Sequence, residues 1–326
     1  MILGARDNFV DIDVPAWAWL ALLGAIAVML AVDLWRHRDP HPPTPREALT
    51  ETLIWVACGL AFAGIVAATY GKAAFGEYIS GYLIEKSLSV DNVFVWALMF
   101  TTMAIPIKYQ HRVLFWGIFG ALLFRAIFIA LGTTLIAKFW WLLLVFGLFL
   151  VYTGLKIIRH RADEGEDGAT RGLGLLRRIM PLSNELDGQK FFTRLNGKRA
   201  ATPLLAALVV IEITDVIFAV DSVPAILAVS HETFLVFSSN AFAILGLRAM
   251  YFLLADARER FHYLSHGLGA ILIFVGLKMT VSHWWHMNTF VSLGVILAIL
   301  AAAIVFSLRR GQHDDHERPG VPAATG

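Results

Sequence analysis

Apolar positions in this chain fall in long continuous runs, with neither the alternation of a strand nor the one-sided stripe of a surface helix. Nine runs stand out, at about 14–34, 51–70, 77–103, 110–131, 135–157, 201–229, 233–255, 262–281 and 286–308. A helix needs about 20 apolar residues to cross the ~30 Å hydrocarbon layer, so each run predicts a membrane-spanning helix. Basic residues alternate between the breaks. Arg36, Arg38 and Arg46 follow the first run, Lys72 alone follows the second, and Lys108 and Arg112 follow the third. The stretch from Lys156 to Arg199 is rich in Lys and Arg, whereas the breaks at 230–232 and 282–285 hold none. Because positive charge collects on the cytoplasmic side, this alternation places the N-terminus outside and the C-terminus in the cytoplasm.

Composition sharpens this reading. The chain of 326 residues is 58% hydrophobic and 16% charged, with a mean hydropathy of +0.66. That balance excludes an ordinary soluble domain and predicts an all-α polytopic membrane protein. A single transmembrane domain is expected over 1–310, with a cytoplasmic connection at 158–200 and a disordered cytoplasmic tail at 311–326. The one cysteine, Cys58, leaves no internal disulfide and no thiolate cluster. The N-terminus lacks the charge and cleavage pattern of a signal peptide, so the first run is expected to stay in the protein.

Polar residues inside these runs carry the information. The sixth contains Glu212, Asp215 and Asp221 in EITDVIFAVDSVPAIL. Each such carboxylate costs about 2.5–3.5 kcal/mol at a bilayer centre on insertion scales, so it needs a cavity, a counter-charge or an ion. Pro224 follows Asp221 closely, and the helix is expected to unwind there and free backbone carbonyls.

The third run matches the sixth. Aligning LIEKSLSVDNV with ITDVIFAVDSV sets Glu85 on Asp215, Asp91 on Asp221 and Asn92 on Ser222. FRAIF, with Arg125, then falls on LRAMY, with Arg248, and TGLKI on VGLKM. Runs three to five, about 77–157, thus repeat as runs six to eight, about 201–281. Three is odd, so the second copy enters the membrane from the opposite side. Inverted repeats of this kind place binding sites where the copies meet, near the midplane.

On a regular helix Glu85, Ser89 and Asn92 share one face, and Asp215 and Ser222 share another. Asp91 and Asp221 lie about 120° from those faces. Arg125, Arg248 and Lys86 are also buried in apolar runs, and pairing with them accounts for one or two acids. It does not account for the whole symmetric set. The candidate metal site is therefore Glu85, Asp91, Asn92, Asp215, Asp221 and Ser222, with no catalytic residues and no tightly bound cofactor expected. Carboxylate, amide and hydroxyl oxygens suit a hard divalent cation such as Mg²⁺, Ca²⁺ or Mn²⁺. Ser238, Ser239 and Asn240 read first as small packing residues and second as lining of the site.

EKSLSVDNVFVW, FFTRLNGKRAATPLLAALVVIEITDVIFAVDSVPAILAVS and FSSNAFAILGLRAMYFLL resemble the tellurium resistance protein TerC family. That family includes Alx-like proteins and belongs to the LysE-like exporter superfamily. The resemblance spans about 15–308 and implies a multi-pass protein of the bacterial inner membrane linked to manganese export, tellurite resistance or alkaline response. It implies that the six acidic-motif residues named above carry transport. It also narrows the hard cation to Mn²⁺, moved outward as the transported ion by alternating access, with proton coupling as an added expectation. Two other readings stay open: a membrane scaffold for cytosolic resistance proteins, working through 158–200, and an exporter of organic cations or amino acids.

Overall fold

The computed structural model describes residues 9–36, 43–139, 141–159, 180–183, 185–195, 197–254, 264–281 and 287–317. Nine helices and one small hairpin make up these segments. They are α1 (Ala16–Arg36), α2 (Pro45–Thr102), α3 (Ile107–Lys138), α4 (Leu142–Arg159), β1 (Phe192–Leu195), β2 (Lys198–Ala201), α5 (Pro203–Leu227), α6 (Thr233–Leu245), α7 (Leu247–Leu254), α8 (Leu264–Val281) and α9 (Thr289–Glu317). Six are long and apolar enough to cross a membrane, or seven when α6 and α7 count as one bent span. Large apolar side chains such as Leu20, Leu131, Leu148 and Tyr152 point outward, as lipid-facing residues do.

The second and third apolar runs form the single element α2, and it is not straight. Gly71 has φ 87° and ψ 179°, a backbone region that is essentially glycine's own. The chain doubles back there. The Tyr78 hydroxyl donates to the Gly59 carbonyl at 3.1 Å, and the Phe62 and Tyr78 rings lie 5.5 Å apart. Contacts between residues so far apart in sequence cannot form along one straight helix. α2 also starts at Pro45, six residues before the expected 51, because Thr44 and Glu47 form a reciprocal capping box.

Three other expectations change. The seventh run, expected as one helix over 233–255, is α6 and α7 with a 41° bend at Gly246. A Cβ at Gly246 would meet the Trp55 Cβ at 2.8 Å and the Lys86 Nζ at 3.1 Å, so the lack of a side chain there lets α2 approach closely. The expected unwinding at Pro224 does not occur. α5 continues through it to Leu227, since a proline in the last turn removes few internal hydrogen bonds. The tail expected to be disordered from 311 is helical to Glu317, and 318–326 lie outside the described residues.

The last part of the 158–200 connection is folded rather than a plain linker. Its hairpin pairs Phe192 with Ala201 and Arg194 with Arg199, turning through Gly197 at φ 79°. Asn-Gly at 196–197 is a strong hairpin signal in the sequence. Ser183 and Pro181 bond both backbone groups of Ala201, which ties the 181–183 segment to the end of β2.

α4 and α8 cross through glycines. A Cβ on Gly154 would lie 2.6 Å from the Gly269 carbonyl oxygen, and one on Gly276 would lie 2.6 Å from that of Gly147. Gly147 meets Gly276 while Gly154 meets Gly269, so the helices run antiparallel. The alignment of TGLKI with VGLKM places Gly147 on Gly269 and Gly154 on Gly276. The crossing is thus one contact made twice, with the two matched segments exchanging places. Small residues let the backbones close up, as in membrane helix pairs generally.

Gly71 has open space around an added Cβ, so Gly71→Ala isolates the cost of its backbone angle. We expect a loss of about 1–3 kcal/mol, read as a lower melting temperature of the purified protein in detergent. Gly64→Ala, also in open space but with ordinary helical φ, is expected to raise stability by about 0.5–1 kcal/mol, the usual advantage of Ala over Gly inside a helix. Equal melting temperatures for the two variants would refute a conformational role for Gly71.

Candidate ion-binding site

Two apolar clusters make up most of the interior, and a polar layer separates them. On α3 the first cluster ends at Leu122 and the second begins at Ile129, with Arg125 between them. On α5 the first ends at Ile211 and the second begins at Ala219, with Asp215 between. Glu85, on the second arm of α2, completes the layer. All three residues are 1% exposed or less.

Arg125 binds both carboxylates. Its Nη1 lies 2.5 Å from Glu85 Oε1 and donates to Ser222 Oγ at 2.7 Å, and its Nη2 donates to Asp215 Oδ1 at 3.4 Å. Ser89 Oγ donates to Glu85 Oε1 and Asn240 Nδ2 to Glu85 Oε2, each at 3.1 Å. Four elements, α2, α3, α5 and α6, therefore converge on a core of two carboxylates and one guanidinium. Polar groups at this depth need partners, because burying them unpaired is costly. Yet Asp215 Oδ2 and Arg125 Nε have no hydrogen-bond partner among the described residues. One carboxylate oxygen is thus left with capacity to bind.

Of the six predicted ligands, the structure brings Glu85, Asp215 and Ser222 together on Arg125. Asn92 is buried on the Glu85 face, about two turns further along the helix. The side chains of Asp91 and Asp221 lie outside the described set, although their backbones are helical. Among the described residues no three His, Cys, Asp or Glu side chains form a metal cage. Glu212 sits against α3 where Gly120 leaves room for its carboxylate, and its Oε2 has no partner there. Asn240, a secondary candidate by sequence, contacts Glu85 directly. Ser238 and Ser239 bond carbonyls of their own helix.

The second arginine of the repeat behaves differently. Arg248, on α7, binds Asp33 of α1 and not the acid pair. Lys86 Nζ donates to the Ala243 carbonyl at 3.1 Å. Asp33 lies in a run with no matching segment, so sequence alone gave it no partner.

Glu77 was also missed. It is buried at the start of the second arm of α2, about 12 Å along the helix from Glu85. Its Oε1 accepts from the Val10 amide at 2.8 Å and its Oε2 from the Ser230 hydroxyl at 2.7 Å. It thus ties the segment before α1 to the α5–α6 connection. Next to Ser230, the His231 ring lies tilted against Phe9, with centroids 4.0 Å apart. Burial, helped by the positive charge of Lys278, pushes the His231 imidazole down to about 4, against one opposing hydrogen bond to Leu227.

Between about pH 6.5 and 4 the unfolded chain takes up a proton on His231 that the folded chain refuses, so its contribution to stability falls as pH falls. His231→Gln is expected to flatten the drop in melting temperature between about pH 7 and pH 5. An unchanged slope would show that other groups govern the acid response.

The comparisons with known proteins follow the same outline. The profile described as integral membrane protein TerC family matches residues 70–315. A membrane protein of Myxococcus xanthus is 48% identical over 321 residues, covering 97% of this chain and all of its own. Alx of Escherichia coli K12, named as a proposed membrane-bound redox modulator, is 42% identical, over 93% of this chain and 97% of its own. A Rickettsia felis membrane protein is 37% identical over 92% of this chain and the whole of its own. No solved structure matches. With a buried acid layer in an apolar helical body and full-length relatives of this kind, the chain is a multi-pass membrane protein that belongs to the TerC family.

Proposed function

We propose that the protein is a secondary transporter that exports divalent metal cations, Mn²⁺ foremost, across the bacterial inner membrane. The observation that carries this reading is the meeting of Glu85 and Asp215. They occupy matching positions of the two repeated segments, come from helices 130 residues apart in sequence, and are fully buried together in an apolar interior. Carboxylates at that depth mark an ion path by default, and oxygen donors select a hard cation. The antiparallel glycine crossing of α4 and α8 supports an inverted repeat, the architecture that places a site where two copies meet.

In this reading nine helical passes, N-terminus outside, surround the site, with the fold-back at Gly71 supplying two of them. Mn²⁺ binds between the second arm of α2 and α5 through a subset of Glu85, Asp91, Asn92, Asp215, Asp221 and Ser222. The two repeats then rock to expose it to the other side. Protons refill the carboxylates on the return. A thiol–disulfide role within one chain has only Cys58 to draw on.

The basic hairpin favours a second reading, a membrane scaffold for cytosolic stress-resistance proteins. Phe192 and Leu195 are exposed beside Arg194 and Lys198 on the connection where such proteins would dock.

Transport into proteoliposomes separates the two. With a Mn²⁺-quenched dye inside and a pH gradient of either sign, we expect quenching that follows the gradient and is lost in Glu85→Gln and Asp221→Ala. No flux through folded wild-type protein would overturn the transporter reading. A resistance phenotype hurt more by replacing the exposed hairpin residues Phe192, Arg194, Leu195 and Lys198 with Ser than by Asp221→Ala would favour the scaffold.

A further inference from the structure

Arg125 has a place in the site that the transporter reading does not itself explain. Its guanidinium lies between the two carboxylates best placed to hold a cation and also takes the hydroxyl of a third predicted ligand, Ser222. One planar cation thus engages Glu85, Asp215 and Ser222, three of the six oxygen-bearing side chains assigned to the metal. A divalent ion needs those same oxygens. Two cations cannot share one Glu85 oxygen and the adjacent Asp215 oxygen at bonding distance without strong mutual repulsion.

We propose, building on the transporter reading, that Arg125 is a tethered surrogate cation that competes with the transported ion for Glu85 and Asp215. Ion binding displaces the guanidinium, and ion release lets it return. The acid pair is then never left unneutralised in an apolar interior. The side chain has somewhere to turn, because Glu212 Oε2 lacks a partner among the described residues. Glu212 is three residues from Asp215 on α5 and packs against α3, the helix that carries Arg125. The matching arginine of the second segment, Arg248, is held by Asp33, so the competition rests on one arginine rather than two.

The test is calorimetric titration of the purified full-length protein with Mn²⁺, alongside proteoliposome uptake. Arg125→Gln removes the competitor, and we expect Mn²⁺ to bind about tenfold tighter or more. The same variant should need less Mn²⁺ for half-maximal uptake yet reach a lower maximal rate, because nothing takes the ion's place on release. Arg125→Lys keeps a buried positive charge in case the glutamine variant does not fold. A single ammonium cannot span both carboxylates and Ser222 as a guanidinium does, so it should tighten binding in the same direction but less. Unchanged or weaker Mn²⁺ binding in whichever variant folds would overturn the proposal and make Arg125 a fixed structural counter-charge. If neither wild type nor variant binds Mn²⁺, the transporter reading falls, and this inference with it.

Discussion

Two carboxylates and a guanidinium buried between two apolar clusters set the terms for the rest of this fold. Such a group survives where its charges face one another and most of its other polar atoms find partners, as all but Asp215 Oδ2 and Arg125 Nε do here among the described residues. Glu85, Asp215 and Arg125 must therefore be brought to one level by three helices at once, and Ser89, Ser222 and Asn240 must complete them. A shift of one turn in α3 or α5 would move one charge by about 5.4 Å and leave it facing hydrocarbon. The apolar clusters on either side hold that register. Leu122 and Ile129 on α3, with Ile211 and Ala219 on α5, bracket the polar layer from both sides.

The two repeated segments share motifs but not environments. Arg125 and Arg248 occupy equivalent places in FRAIF and LRAMY, yet one binds the acid pair and the other binds Asp33. A helix outside the repeat supplies that difference. α1 brings Asp33 to α7 and thereby withdraws one of two matching arginines. Glu77 adds a second asymmetry, since it ties residues ahead of α1 to the α5–α6 connection, while the alignment places Ala207 opposite it.

Hydropathy made most helices legible, because a lipid-crossing segment must be apolar over its whole length whatever its neighbours do. The acids of the third and sixth runs were legible for the complementary reason, since a charge in such a run is expensive wherever it points. Contacts between distant residues were not. Pairing of buried acids with Arg125, Arg248 or Lys86 was foreseeable from charge count, but not that Arg125 would take Glu85 and Asp215 while Arg248 took Asp33. Glu77 went unnoticed because it sits at the edge of its run, where a carboxylate normally meets water. The break at Gly71 fell between two expected helices, and hydropathy cannot say whether such a gap is a loop or a one-residue reversal. Pro224 misled in the other direction, because its position in the final turn of α5 matters more than its presence.

The crossing of α4 and α8 has its own consequence. Its two glycine contacts, Gly147 with Gly276 and Gly154 with Gly269, lie about 10 Å apart along each helix and are chemically alike. If the repeats rock as proposed, a crossing with equal ends would act as a balanced lever, since tilting it toward either side loosens one contact and tightens its twin. Such a lever has no resting preference of its own. Under that rocking, any preference between the two tilts would come from parts that are not duplicated, such as α1, whose Asp33 holds Arg248.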